Sequence, residues 1–216
     1  MPSLAMFPIL TRDDVFRIET PRLWLRWPHA RDAHGMANWV GKPEVATMTS
    51  SFKVGMTADE IAVRLAQTRD SNAAGNGIGL VVTHKGDDAR AVGIVGVDTR
   101  PDGTLVLGYH LDPAFWSRGL MTEAVRALSA QVFELSAVCK IVASVRPDNH
   151  GSIKVLTRCG FISTGGGEHE SPLYGRYMVR HFALARQRPS ALAQAQARFG
   201  VGQTATACGH DLTRLV

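Results

Sequence analysis

An α+β (mixed α/β) domain is what this sequence predicts, and three observations carry that prediction. Strand-like segments stand at 18–27, 78–84, 92–98 and 104–111, with turn signals among them. Met121, Val125, Leu128, Val132 and Leu135, stepping by four, three, four and three, mark one long amphipathic helix after them. The strands just before that helix read as a partly antiparallel hairpin, with helices elsewhere between the strands. A partly antiparallel sheet with helices against it is therefore expected, rather than a doubly wound dinucleotide fold.

Each element is justified in turn. Ile18 to Trp27 alternates, with Leu23, Leu25 and Trp27 on one face, and reads as a first strand. Ala30 to Val40 and Thr57 to Arg69 read as helices, the second opening on Thr57-x-x-Glu60, a capping-box pattern. Strands are expected at Ile78 to His84, Val92 to Asp98 and Thr104 to Leu111, the last two joined by the turn signal Pro101-Asp102-Gly103. After the long helix come a short apolar strand, Ile141 to Val145, and a short helix, Ser152 to Arg158, stopped by Gly160. Leu173 to Leu184 is read as a last strand. Residues 1–186 form the expected domain; 187–216 are read as either a C-terminal helix or a flexible tail.

Composition narrows the function classes. With 45% hydrophobic and 20% charged residues, the chain has a globular composition, and no run reaches the roughly 18 apolar residues of a membrane span. The start, Met-Pro-Ser-Leu-Ala-Met-Phe-Pro, lacks the charged opening of a secretion signal. The three cysteines form no CxxC pair and are read as reduced thiols, with a cytoplasmic location. The net charge of +5 suits an anionic ligand as readily as a mildly basic surface without a partner. No basic run or aromatic-basic signature points to direct nucleic-acid binding. The eight histidines form no HxH or HxxxH pair, so no metal is expected.

The chemistry concentrates at Arg118-Gly119-Leu120-Met121-Thr122, between a strand and a helix start. Unpaired N–H groups at a helix N-terminus lie at the positive end of its dipole, a glycine there admits a close approach, and Arg118 adds charge. A pyrophosphate fits such a place, as does a plain turn. The P-loop Lys-Ser/Thr pair and a GxGxxG after a strand are both missing, which argues against a nucleoside triphosphate or a nicotinamide cofactor.

Around that site, Gly108-Tyr109-His110-Leu111-Asp112-Pro113 followed by Trp116-Ser117-Arg118-Gly119-Leu120-Met121-Thr122-Glu123-Ala124 resembles the acetyl-CoA motif of the GNAT N-acetyltransferase superfamily, closest to its RimJ/RimL-like branch. Asn149-His150-Gly151-Ser152, ending in Cys159-Gly160-Phe161, and the opening Thr20-Pro21-Arg22-Leu23-Trp24-Leu25-Arg26 match two further blocks in the expected order. The resemblance covers about residues 18 to 185. It implies a GNAT-like central mixed, mostly antiparallel sheet flanked by helices, with acetyl-CoA as co-substrate. It also implies that the pantetheine arm lies along His110, Leu111 and Asp112, and the diphosphate on the N–H groups of Trp116, Ser117, Arg118, Gly119, Leu120, Met121 and Thr122. Asn149, Ser152 and Lys154 would contact the other side of the arm, with Ser152 as the acid for the leaving thiolate.

Three departures from the branch stand out. Val106 occupies a position that is often acidic, Met121 one that is usually small, and His110 one that is usually Trp. His110 is a candidate base with a pKa near neutrality, or else a strand histidine satisfied by a neighbour. Asp98 and Tyr177 are candidate acceptor-binding residues, against the alternatives of a solvated strand-end carboxylate and a packing aromatic. The function expected is acetyl transfer to a primary amine, a protein N-terminus or a small amine, by direct attack in a ternary complex, with a homodimer left open. Rival readings are a non-catalytic acyl-CoA-binding or sensory module and a basic adaptor on ribosomes or nucleic acid.

Overall fold

The computed structural model describes residues 5–186. Eight strands form one sheet: β1 (Arg17–Glu19), β2 (Leu23–Arg26), β3 (Gly77–His84), β4 (Asp87–Thr99), β5 (Leu105–Leu111), β6 (Lys140–Val145), β7 (Ile162–Ser171) and β8 (Gly175–Ala185), in the order β1-β2-β3-β4-β5-β6-β8-β7. Every neighbouring pair is antiparallel except β5–β6. The expected α+β class and mostly antiparallel sheet are therefore what the chain adopts. The expected helix or tail at 187–216 lies outside the described residues.

Helices α1 (Asp32–Ala37), α2 (Pro43–Ala46) and α3 (Ala58–Ala74) lie on one face of the sheet. Helices α4 (Leu120–Leu135) and α5 (His150–Arg158) lie on the other. The helix α3 starts as expected, with Thr57 and Glu60 forming both halves of a capping box. It runs one turn beyond Arg69, until Gly75 takes φ 71° and stops it. The helix α4 buries Leu120, Met121, Ala124, Val125, Leu128 and Val132, each large apolar side chain contributing about 1.5–3 kcal/mol. Among the described residues no helix is long and apolar enough to cross a membrane.

The structure corrects two expectations. The single strand at 18–27 is a hairpin, because Thr20 Oγ1 accepts from the Leu23 N–H (2.9 Å) and donates to its carbonyl (3.2 Å), folding the chain at Pro21. The strand β7 carries Ser-Thr-Gly-Gly-Gly-Glu-His-Glu, buries only Ser171 and offers no apolar alternation to detect. Cys159 is a free thiol, as expected of it, and lies 3.4 Å from the Thr122 carbonyl.

Candidate active site

The parallel pairing of β5 with β6 ends almost where it begins. Leu105 pairs with Ile141 and Val106 with Val142, after which β6 stays with β8 and β5 stays with β4. A wedge opens between the two strands beyond Val106. The Asp112 N–H donates to the Val92 carbonyl (2.8 Å), and antiparallel alternation then turns His110 and Gly108 toward β4 as well. The main-chain groups of Leu107, Tyr109 and Leu111 face the wedge instead. The N–H groups of Tyr109 and Leu111 on such an edge can receive an extended amide-bearing chain as an added strand.

Of the expected arm contacts, Leu111 therefore presents main-chain groups to the wedge, and Trp116 Nε1 donates to its carbonyl (2.8 Å). Asp112 builds the turn: its carboxylate accepts from the Ala114 N–H (3.0 Å), with Arg90 at 3.9 Å. Tyr109, absent from the expected set, takes the second edge position.

Beyond β5 the chain reaches α4 through a turn with left-handed residues at Ser117 (φ 60°) and Gly119 (φ 74°). Ser117 is the single non-glycine with positive φ among the described residues. Left-handed residues within a turn gather N–H groups into a concavity that suits anions. Gly119 stands at the N-cap of α4 with no side-chain capping bond, so the first N–H groups of α4 lack a side-chain partner. The side chains of Leu120 and Met121 are buried in the core, with Met121 reaching toward Gly93, so both meet this concavity through main chain alone. The Arg118 guanidinium lies over the Phe115 ring at 5.3 Å, beside the same turn.

The turn is held from the opposite end of the sheet. Glu123 on α4 accepts from Thr20 Oγ1 (2.6 Å), the Arg22 N–H (2.9 Å) and Arg22 Nε (2.6 Å), while an Arg22 terminal nitrogen donates to the Arg118 carbonyl (3.1 Å). Burial pushes the Glu123 carboxyl upward, but these hydrogen bonds outweigh it and hold it below the usual range.

On the α4–α5 side of the wedge, the Tyr109 and Ser152 hydroxyls lie 2.6 Å apart, and the phenol donates to the Ser152 carbonyl at 3.1 Å. Burial raises the Tyr109 pKa well above its usual value, so the phenol keeps its proton. Asn149 caps α5 by accepting from the Ser152 N–H (3.0 Å), which positions Ser152, and Lys154 is exposed one turn on.

The opposite face carries the candidate acceptor residues. His110 sits edge-on to Phe52 (centroids 4.9 Å apart), with Nε2 3.4 Å from Thr49 Oγ1. Burial pushes its pKa down to about 4, so the expected near-neutral base is a neutral imidazole at physiological pH. Asp98 lies across from Val106, on the same face. Desolvation raises its carboxyl above the usual range, and a hydrogen bond from Ser71 partly offsets this. Tyr177 stacks on the Arg146 guanidinium (4.4 Å) near His169, and Tyr174 donates to the Phe52 carbonyl (2.8 Å), tying the β7–β8 hairpin to the loop before α3. Among the described residues, no group of three His, Cys, Asp or Glu is placed to hold a metal.

Residues 22–162 match the family profile described as the acetyltransferase (GNAT) domain, and the chain belongs to that family. It is 42% identical over 62 residues to a probable N-acetyltransferase, YjcK, of Bacillus subtilis, a match covering 29% of this chain and 34% of that protein. It is 28% identical to the uncharacterized N-acetyltransferase p20 of Bacillus licheniformis, over 68% of this chain and 82% of that one. Among solved structures, Mycobacterium smegmatis RimJ in complex with CoA-disulfide superposes with a TM-score of 0.69 at 19% identity, covering 88% of this chain and 96% of that one. The ribosomal-protein-S5-alanine acetyltransferase of Vibrio fischeri gives 0.68 at 22% identity, covering 80% and 98%. A Salmonella typhimurium acetyltransferase described as modifying the N-terminal serine of ribosomal protein L7/L12 gives 0.68 at 20% identity, covering 80% and 100%. At these identities the structural likenesses show a shared fold.

Proposed function

We propose that this protein is an acetyl-CoA-dependent N-acetyltransferase whose acceptor is a primary amine, foremost the α-amino group of a protein or peptide. The observation that carries this reading is the wedge between β5 and β6, walled by the free edge at Tyr109 and Leu111 and closed at one end by the uncapped start of α4. These features fit an extended pantetheine arm and a diphosphate respectively. Two structural neighbours are described as acting on the alanine of S5 and the N-terminal serine of L7/L12, which favours an α-amine.

Acetyl-CoA supplies a thioester, the electrophile of the reaction. The N–H groups of Ser117 to Thr122 hold the diphosphate and Arg118 adds charge, whereas the Trp116 N–H, expected in the same set, donates to the Pro113 carbonyl (3.1 Å). The N–H groups of Tyr109 and Leu111 take up the pantetheine amides, with Asn149 and Lys154 on the far side of the arm. A main-chain N–H at the vertex of the wedge stabilises the tetrahedral oxyanion. Ser152, hydrogen-bonded to the un-ionised Tyr109 phenol, hands a proton to the departing thiolate, and the phenol can replace it. Asp98 and Tyr177 flank the amine on the opposite face, and no acyl-enzyme is needed. An α-amine, with an unperturbed pKa of about 7.7–8.0 against about 10.4 for lysine, loses its proton more readily at neutral pH.

The test is release of CoA thiol from acetyl-CoA against a panel of amines, paired with thermal shift. Amine-dependent thiol release supports the reading. Stabilisation by acetyl-CoA with no release on any amine overturns it in favour of an acyl-CoA-binding module.

A further inference from the structure

On the acceptor side of the wedge, β6 and β8 place a serine and a histidine side by side. Ser144 and His181 are direct cross-strand partners, with Ser144 Oγ 3.0 Å from His181 Nδ1. Ile141, Ala143 and Val145 are core residues on the α4–α5 side, and so is Phe182. Strand alternation therefore turns Ser144 and His181 to the opposite face. Ser144 is exposed and His181 partly so.

Their position along the strands gives the pair a use. Val106 and Val142 mark the vertex of the wedge, and two residues further lie Gly108 on β5 and Ser144 on β6. Both flank the gap on the same face, and a Cβ on Gly108 would meet no atom within 4 Å. An amine reaching a thioester in the wedge from this side thus passes over bare backbone on one wall and meets a hydroxyl on the other. His110 lies two residues further along the first wall, packed against Phe52. Behind Ser144, His181 Nε2 leans over Gly167 of β7, where a Cβ would come within 3.4 Å of it. Arg146, Tyr177 and His169 share this face, Asp98 and His110 lie across the gap, and Arg180 points to the other face over Phe182.

We infer that Ser144 and His181 form the proton relay that deprotonates the acceptor amine; the inference rests on the acetyl-transfer reading above. Ser144 Oγ takes a proton from the ammonium as its own proton passes to His181 Nδ1. The freed nitrogen lone pair forms the new C–N bond to the acetyl carbon. The tetrahedral nitrogen sheds its second proton to water as the C–S bond breaks; the electron pair leaves on sulfur, and that thiolate takes a proton through Ser152, which is made good from solvent by way of Tyr109. The proton on His181 returns to solvent, so the products are the acetylated amine, CoA thiol and one proton. His181 is a candidate that no family motif in the sequence marks.

The experiment uses the full chain, acetyl-CoA and a short peptide beginning with serine. His181→Asn and Ser144→Ala are expected to bind acetyl-CoA unchanged and to lower kcat about a hundredfold at neutral pH. The residual rate should climb roughly tenfold per pH unit toward the amine pKa, since free amine then comes only from solvent. Imidazole should restore part of the rate of His181→Ala. Independently of turnover, the imidazole ¹⁵N signals should show His181 as the Nε2–H tautomer, and Ser144→Ala should shift its Nδ1. A wild-type rate and pH profile in His181→Asn, or a His181 that carries its proton on Nδ1, overturns the relay alone. A wild-type chain that acetylates no amine overturns the acetyl-transfer reading and the relay with it.

Discussion

Arg22 and Glu123, separated by 101 residues in the chain, meet in an ion pair of 2.6 Å that fastens the β1–β2 hairpin to the start of α4. Arg22 also reaches the Arg118 carbonyl, so one side chain spans both ends of the turn proposed to hold the diphosphate. The pair is half-exposed on the arginine side, and as a bare ion pair it would contribute little to stability. Its weight lies in positioning. Arg22→Ala is expected to weaken acetyl-CoA binding about tenfold in calorimetric titration, with a modest fall in Tm. Binding unchanged in Arg22→Ala would show that the turn holds its shape unaided.

Gly119 adopts φ 74°, which an L side chain takes at a cost of about 1–2 kcal/mol, while space around it is ample, with Arg22 the nearest neighbour at 3.7 Å. Gly119→Val should reduce acetyl-CoA affinity at least tenfold by tilting the N–H groups of the turn, whereas the exposed Gly103→Ala should leave affinity alone. Equal affinities for the two variants would remove the diphosphate from this turn.

Tyr109 and Ser152 are expected to act as one unit. Tyr109→Phe and Ser152→Ala should each lower kcat by about ten- to a hundredfold with little change in the Kd of acetyl-CoA, and the double variant should be hardly worse than the poorer single one. Strict additivity in the cycle would mean that the two hydroxyls serve separate steps.

His110 gives a pH dependence of stability with a definite sign. Its pKa is about 4 in the folded chain against 6.5 for the free side chain, so below pH 6.5 the unfolded state binds a proton that the folded state refuses. Stability is fully present above pH 6.5 and falls as the pH drops toward 4, by about 3 kcal/mol from this group. His110→Gln should flatten that part of a Tm-against-pH curve. An unchanged slope in the variant would show that His110 is more solvated than its packing against Phe52 implies.

Much of this was legible in the residues. The amphipathic step of α4, the capping box at Thr57 and the glycine before Leu120 are local signals, set within a few residues of one another. What escaped was non-local or unpatterned. The polar edge strand β7 buries too little to leave an apolar rhythm. Tyr109 sits inside a recognised motif, but its role depends on α5 bringing Ser152 to 2.6 Å. The low pKa of His110 comes from packing against Phe52 and the Thr49 loop, contacts that no spacing encodes. Ser144 and His181 are joined only by the β6–β8 register.

The central claim is that the free edge of β5 receives the cofactor arm, and amide hydrogen exchange resolved by residue tests it most directly. On adding acetyl-CoA, the Tyr109 and Leu111 amides should gain strong protection, while those of His110 and Asp112, already bonded to β4, should change little. Uniform protection along β5 without that alternation would contradict the account. So would protection confined to the β1–β2 hairpin, at Trp24 and Arg26.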